Sequence, residues 1–421
     1  MAERWILHCD CNSFYASVEL LRHPQLRQKP VAVCGDPESR HGIILAKNEP
    51  AKKLGVKTAE TIWQAKRKCP DLVLLPPHRR LYSQYYQRIN EIYTACTDLV
   101  EPFSIDESWL DVTGSWQLFA QSPAALADRL RRQVREATGL TISVGVSFNK
   151  VFAKLGSDYK KPDATTLITR QNYRQVLWPL PVGDMLFVGH SARQKLEGLG
   201  LRTIGDLARA EPAALQSVLG KLGLTLSRYA RGEDEEPVRR WGEKEPVKSV
   251  GNGMTFKRDL TGGQDIHSAL AALSDEVAAR LRAHGVWAGA VQVTVRDARL
   301  HTITRQKQLP LSTHLARDLT AAAWQLMQAN WDMRTPIRML TVTALSITEQ
   351  PFAVQQSLFD DAPQPDPKRE RLEQSLDAIR RKYGRGAIGA GCVLQSDLGL
   401  GGLSMQEGPA DGAEDQVKGP L

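Results

Sequence analysis

Residues 100–112 read VEPFSIDESWLDV. Val100 on one side and Trp109, Leu110 and Val112 on the other flank a polar centre that holds Ser104, Asp106, Glu107 and Ser108. The stretch reads as two strands joined at a polar tip, with Asp106 and Glu107 adjacent at that tip. Neighbours on a regular strand point to opposite faces, but at a tip or bulge both carboxylates can turn toward one ion. Strands and helices mix around this antiparallel element, which argues an α+β fold for the first 170 residues.

Upstream, residues 4–10 (RWILHCD) read as a buried strand that closes on Asp10, followed by the polar turn Cys11-Asn12-Ser13 and a helix from Phe14 to Leu21. A strand at residues 30–34, a strand and two short basic helices within 43–69, and a helix over 81–98 on the pattern Leu81, Tyr85, Ile89, Ile92 and Cys96 follow. Downstream come a basic amphipathic helix from Ala124 to Thr138 and a central strand from Leu140 to Ser147. Asp10, Asp106 and Glu107 thus reach one region from two strands. Three carboxylates are a donor set for two Mg²⁺ ions about 3.5–4 Å apart. Singly, each of these acids reads as an ordinary surface acid at a turn.

Residues 172–230 read as helical and turn-punctuated. Gly198-Leu199-Gly200 joins two helices in a tight hairpin, which reads equally as a simple connection or as a source of backbone N–H groups for a DNA phosphate. Residues 231–247 (RGEDEEPVRRWGEKEPV) are charged and carry two prolines, as a linker does. A second α+β unit follows, with a long helix around 265–284 and strands at 289–296, 301–308 and 337–347. From 351 the chain turns polar and Pro-rich. It recovers one helix at 368–383 with Leu372, Leu376, Ile379 and Tyr383 on one face, and from about Gly399 it reads as disordered.

The chain has 421 residues, 42% hydrophobic and 24% charged, the profile of a multidomain globular protein. Its net charge of +8 is uneven: +6 over residues 1–170, zero over 171–236, +4 over 244–350 and −3 over 351–421. A basic body with an acidic tail suits a polyanion partner. No apolar run is long enough to span a bilayer, and the N-terminus does not read as a signal peptide. Cys9, Cys11, Cys34, Cys69, Cys96 and Cys392 are too scattered for a disulfide framework or a zinc site, which fits a reducing cytoplasm.

Three blocks decide the reading jointly: D-x-N-S-F-Y-A-S-V-E after the first strand, S-I-D-E-S-W-L-D-V, and S-V-G-V-S-x-N-K-x-x-A-K. Together they resemble the Y-family of translesion DNA polymerases, from Trp5 to about Glu349, with residues 46–56 (AKNEPAKKLGV) similar to that family's fingers segment. The resemblance implies a right-hand architecture: palm at 1–24 and 76–170, fingers at 25–75, and a helical thumb with a helix-hairpin-helix at 171–236. A linker at 237–247, an α+β little finger at 248–350 and a tail at 351–421 complete it.

By position, the resemblance places Asp10, Asp106 and Glu107 on the catalytic, metal-binding acids and the backbone carbonyl of Cys11 on the remaining protein ligand. Two Mg²⁺ ions are the implied cofactor. Tyr15 falls on the steric gate against a ribose 2′-OH. Ser13 and Phe14 fall beside the triphosphate, and Lys52 and Lys161 fall on its basic contacts. Gly198 and Gly200 fall on the thumb's DNA contact, and Ile43 and Ile44 on the floor under the nascent base pair. Asn12 stands where many relatives have Asp, Ser13 and Glu49 where several have Tyr, and Lys52 where Arg is usual. A lysine offers a point charge in place of a bidentate fork.

Gln355-Gln356-Ser357-Leu358-Phe359 looks like the peptide that bacterial polymerases insert into the sliding clamp, with Gln355 at the pocket rim and Leu358 and Phe359 filling it. The implied partners are primer-template DNA, dNTP and the sliding clamp, with no membrane and a monomeric state. Two rivals are a non-catalytic clamp-associated DNA-binding accessory protein and a two-metal nuclease. Primer extension and DNA degradation without dNTPs discriminate them.

Overall fold

A computed structural model describes residues 3–37, 42–351, 367–389, 391–394 and 397–400. Gln355, Leu358 and Phe359 lie outside the described residues. The chain forms two bodies that divide between Lys244 and Glu245. Among the described residues no helix is long and apolar enough to cross a membrane.

The first body contains strands β1 (Ile6–Cys11), β2 (Val31–Cys34), β3 (Ile44–Lys47) and β4 (Val73–Leu75), then β5 (Val100–Pro102), β6 (Glu107–Asp111), β7 (Ile142–Ser147) and β8 (Thr165–Leu167). Its main sheet has the order β5-β6-β1-β7-β8, and a separate three-stranded sheet has the order β3-β2-β4. Helices α1 (Phe14–Arg22), α2 (Glu49–Lys53), α3 (Ile62–Lys68), α4 (Arg79–Thr94), α5 (Pro123–Thr138) and α6 (Lys150–Tyr159) accompany the sheets. A helical segment follows, with α7 (Tyr173–Val176), α8 (His190–Gly198), α9 (Ile204–Arg209), α10 (Pro212–Leu219) and α11 (Lys221–Ala230) around a core that also takes in Val151, Phe152 and Leu155 of α6 and Ile168.

Every residue of β1 is buried, because both faces of the sheet are covered. The period-2 alternation sorts them. Leu7, Cys9 and Cys11 enter the core with Tyr82, Ile89 and Tyr93 of α4 and Leu126, Leu130 and Val134 of α5. Ile6 lies on the opposite face with Trp109 and Ala153 of α6, and His8 on that face reaches Ser157 of α6. Asp10 follows in the same alternation, so strand geometry sends it toward α6.

Gly145 of β7 lets α6 come close. A Cβ there would stand 1.8 Å from the Ala153 carbonyl oxygen and 2.4 Å from the Ser157 nitrogen. Gly145→Ala is therefore expected to destabilise the first body by about 3 kcal/mol through overpacking against backbone. Urea unfolding checks this, and an unchanged midpoint would contradict the close approach.

The second body has strands β9 (Val250–Leu260), β10 (Trp287–Asp297), β11 (Thr302–Thr313) and β12 (Ile337–Thr348) in the antiparallel order β11-β10-β12-β9. Helices α12 (Gly262–His284) and α13 (Ala316–Asn330) cover it and share its core. Helix α14 (Pro367–Tyr383) follows.

The α+β expectation holds for both bodies. One local expectation is corrected. The stretch read as a linker from residue 237 is anchored to the first body: Val238 is 3% exposed, and both the Arg239 amide and its guanidinium donate to Glu101 at 3.0 Å. The Trp241 amide likewise donates to the Asp98 carbonyl. Helix α14 docks by charged residues. Glu373 and Asp377 pair with Arg282, and Arg380 pairs with Asp275. Leu372 and Tyr383 stay 59% and 67% exposed. Leu398 and Leu400, at the boundary near Gly399, are buried in the second body's core.

Candidate active site

The register of β1 against β6 sets Asp10 directly opposite Glu107. The Cys11 amide donates to the Asp106 carbonyl at 2.9 Å, which brings the hairpin tip to the end of β1. Ser104 Oγ donates to Asp106 Oδ1 at 2.6 Å, fixing the second acid of the site. The register and these hydrogen bonds bring Asp10, Cys11, Asp106 and Glu107 to one end of β1.

Two lysines face these acids. Lys161 Nζ lies 2.6 Å from Asp10 Oδ2, and Lys154 Nζ lies 2.6 Å from Glu107 Oε2. His8 Nε2 lies 3.3 Å from the same Glu107 oxygen. Burial, with the charge of Glu107 added, pushes the Asp10 carboxyl up to about 8, against the opposing pull of Lys161. Burial and Glu107 also raise Asp106, although the Ser104 hydrogen bond opposes them. Burial acts to raise Glu107 as well, but His8 and Lys154 more than offset it and hold that carboxyl well below the ordinary range. Lys161 is held protonated by Asp10 and Asp158, which outweigh its burial.

Burial and the charge of Glu107 thus disfavour the ionised forms of Asp10 and Asp106, a cost that a cation at the site would relieve. Three carboxylates and a backbone carbonyl are hard oxygen donors of the kind Mg²⁺ takes, so the residues fit a divalent cation. Among the described residues no three acidic, histidine or cysteine side chains are already drawn together as a ligand cluster. The donor type and the crowding of the carboxylates carry the fit.

Lys161 is placed from several sides. Asn12 Oδ1 accepts from the Asp163 amide at 2.9 Å and from Thr141 Oγ1 at 3.0 Å, while Asn12 Nδ2 donates to Ser143 Oγ. Arg131 donates to the Asp163 carboxylate at 2.8 Å and to its carbonyl. Asn12, which departs from the resembled pattern, thus ties β7 to the loop after Lys161.

Ser13 takes the left-handed conformation, φ 50°, at the start of α1 and gives the helix no side-chain cap. Phe14 is buried in the core, and Tyr15 stacks on Tyr82 with ring centroids 4.2 Å apart and planes 13° apart. Lys52 lies on α2, where it pairs with Glu49 at 3.5 Å and not with the carboxylates. Ile43 bridges Thr61 and is exposed, whereas Ile44 is core.

At the thumb-like hairpin, Gly200 has φ 78°. Its amide donates to the Glu197 carbonyl and the Leu201 amide to the Leu196 carbonyl, a Schellman closure of α8. The two amides are thus engaged inside the turn. Gly198 ends α8, where an added Cβ would meet open space.

Sequence reasoning did not single out His8, Glu19, Tyr82 or Lys154. Lys154 was legible in N-K-x-x-A-K had residues 150–159 been read as a helix, since that helix aims the second lysine at the hairpin tip.

Models of protein families match three stretches: the impB/mucB/samB family over residues 9–158, the C-terminal domain of that family over 247–358, and the thumb domain of DNA polymerase-iota over 187–234. A DNA polymerase IV of Acetivibrio thermocellus is 44% identical over 401 residues, 94% of this chain and 99% of the relative. DNA polymerase IV 1 of Bacillus subtilis is 36% identical, covering 94% of each chain. Among solved structures, a Y-family DNA polymerase chimera matches with a TM-score of 0.72 and 25% identity, over 82% of this chain and 99% of that one.

Proposed function

The chain belongs to the impB/mucB/samB family, the Y-family of translesion DNA polymerases, and on that premise we propose that Asp10, Asp106 and Glu107 form its catalytic centre. It is a DNA-directed DNA polymerase, with DNA and dNTP as substrates. The observation that carries the site is the convergence of the three acids at the end of β1, opposite Lys161 and Lys154.

The primer 3′-hydroxyl attacks the α-phosphate of the incoming dNTP, an O3′–P bond forms, and pyrophosphate leaves. Asp10, Asp106, Glu107 and the Cys11 carbonyl would hold two Mg²⁺ ions, which when bound supply charge stabilisation and ease ionisation of the attacking hydroxyl. Lys161, already charged and placed by the Asn12–Asp163–Arg131 contacts, binds the triphosphate once it leaves Asp10. Lys52 adds a second positive charge from α2, and the backbone at Ser13 and Phe14 lines the start of α1 for the same anion. Tyr15 closes the sugar pocket. Lys161→Ala is expected to raise KM for dNTP about tenfold or more, with a smaller effect on kcat, because a charge-assisted contact is lost. Single-turnover kinetics across dNTP concentrations check it.

The main sheet is the proposed palm (1–24 and 76–170), the three-stranded sheet the fingers (25–75), and the helical core the thumb (171–236). The second α+β body supplies the little finger (248–350). Separate hydrophobic cores of the main sheet, the three-stranded sheet and the second body support this partition, while the helical core also takes in Val151, Phe152 and Leu155 of α6. One chain supplies every site residue, so a monomer suffices. Free, buried Cys9, Cys11, Cys34, Cys69 and Cys96 suit a reducing cytoplasm.

Gln355, Leu358 and Phe359 are the proposed clamp-binding anchors. Deleting residues 355–359 is expected to remove stimulation by sliding clamp, on the order of a hundredfold in effective affinity, while leaving clamp-free synthesis intact. Primer extension opposite a panel of template lesions, with and without clamp, tests the whole reading. Synthesis that stops at every lesion would contradict it.

A further inference from the structure

We propose that Glu19 is a positioning residue for sugar discrimination: acting through Tyr82, it fixes the ring of Tyr15. The inference rests on Tyr15 being the steric gate and adds the residues that hold the gate still.

Tyr15 and Glu19 are one turn apart on α1, hence on one face of that helix. Opposite them lies the start of α4. The Tyr82 ring stacks on Tyr15 at 4.2 Å, and its hydroxyl donates to Glu19 Oε1 at 2.5 Å. Phe14 flanks both rings, at 5.7 Å from Tyr15 and 6.1 Å from Tyr82. The Glu19 carboxylate is anchored in turn by His78, whose Nδ1 lies 3.0 Å from each carboxylate oxygen and whose amide donates to Oε1 at 3.3 Å. Tyr82 is fully buried and Glu19 is 1% exposed.

A buried carboxylate is costly, and an apolar side chain would hold two helices together as well. What the carboxylate adds is direction. One acceptor oxygen pins the Tyr82 hydroxyl, which sets the ring plane on which Tyr15 stacks. A sugar gate works by excluding one oxygen atom, so its ring must be fixed to well within an ångström. A face-to-face stack against a ring held at its far end gives that fixity; an unpinned ring would slide. Glu19 also ties α1 to the start of α4 through His78. The experiment must therefore separate that structural tie from the link to Tyr82.

The test measures single-nucleotide insertion efficiency for a dNTP and the matching rNTP on undamaged primer-template, using full-length Tyr15→Ala, Tyr82→Phe, Glu19→Leu and Glu19→Gln proteins. Tyr82→Phe keeps the stack and the Glu19–His78 tie and removes only the hydroxyl link. It is expected to lower the dNTP/rNTP ratio about three- to tenfold, the worth of one hydrogen bond. Glu19→Leu should do the same, and the Tyr82→Phe/Glu19→Leu double variant should be no worse than either single variant. Glu19→Gln keeps an acceptor oxygen and should hold the ratio within about twofold. The proposal is overturned if Tyr15→Ala collapses the ratio while Tyr82→Phe leaves it unchanged. It is also overturned if Glu19→Leu lowers dNTP and rNTP insertion in parallel, the mark of a purely structural role. An unchanged ratio in Tyr15→Ala sinks the gate assignment itself and the proposal with it.

Discussion

Asp106→Ala combined with Glu107→Ala is expected to slow primer extension by at least about a thousandfold, about 4 kcal/mol of transition-state stabilisation. The two residues close the hairpin tip against the end of β1, with Glu107 opposite Asp10 in the register and the Asp106 carbonyl on the Cys11 amide. Only Asp10 would remain to hold a cation, and the orientation that Lys154 and His8 give Glu107 would have nothing to act on. The strand should survive the change, because Leu110 and Val112 lie in the core and Ser108 and Trp109 are buried as well. Losing Asp106 relieves the burial cost and the like-charge crowding that push its carboxyl up, while losing Glu107 leaves Lys154 without its carboxylate partner. The two effects oppose, so the melting temperature should shift by no more than a few degrees, about 1 kcal/mol either way. DNA affinity measured without dNTP should stay near wild type. Extension at even a tenth of the wild-type rate by the double variant would remove these acids from the chemistry.

Tyr15→Ala should lower discrimination against ribonucleotides by about a hundredfold, about 2.7 kcal/mol, because selectivity by exclusion disappears with the excluding atoms. The ring is only half-buried, so one surface remains available to line a sugar pocket while the other stacks on Tyr82. The truncation removes the clash with a 2′-hydroxyl and leaves the α1 backbone in place. Deoxynucleotide insertion should therefore fall much less than ribonucleotide insertion rises. Kinetics with paired dNTP and rNTP substrates read both. Equal changes for both sugars would show that Tyr15 supports the pocket without selecting.

Much of this was legible in the chain. VEPFSIDESWLDV showed its polar tip, and the strand that ends on Asp10 declared itself by its apolar run. What composition could not show was which face of β1 carries which role. The whole strand is buried, and only the tertiary sorting of Ile6 and His8 toward α6, against Leu7, Cys9 and Cys11 toward α4 and α5, makes the lysine side of Asp10 visible. On α4 the expected stripe began at Leu81, yet the neighbouring Tyr82 is fully buried, its hydroxyl partnered by Glu19. Strand β9 escaped notice because VGNGMTFKRDL carries two glycines and no alternation. Helix α14 showed an apolar stripe whose role the chain left open, and Asp275 and Arg282 on α12 offer ionic partners that its Glu373, Asp377 and Arg380 meet. Periodicity finds an amphipathic helix; it does not say which face a charged neighbour will select.

The central claim is that Asp10, Asp106, Glu107 and the Cys11 carbonyl form the cation-binding heart of the polymerase. Its most direct test is a crystal structure of the full chain with primer-template, a non-hydrolysable dNTP analogue and Mn²⁺ as an anomalous probe. The account predicts anomalous density bounded by those three carboxylates, with the Lys161 ammonium moved from Asp10 to the triphosphate. Mn²⁺ bound elsewhere, with Lys161 still paired to Asp10 and the analogue seated away from the hairpin tip, would contradict it.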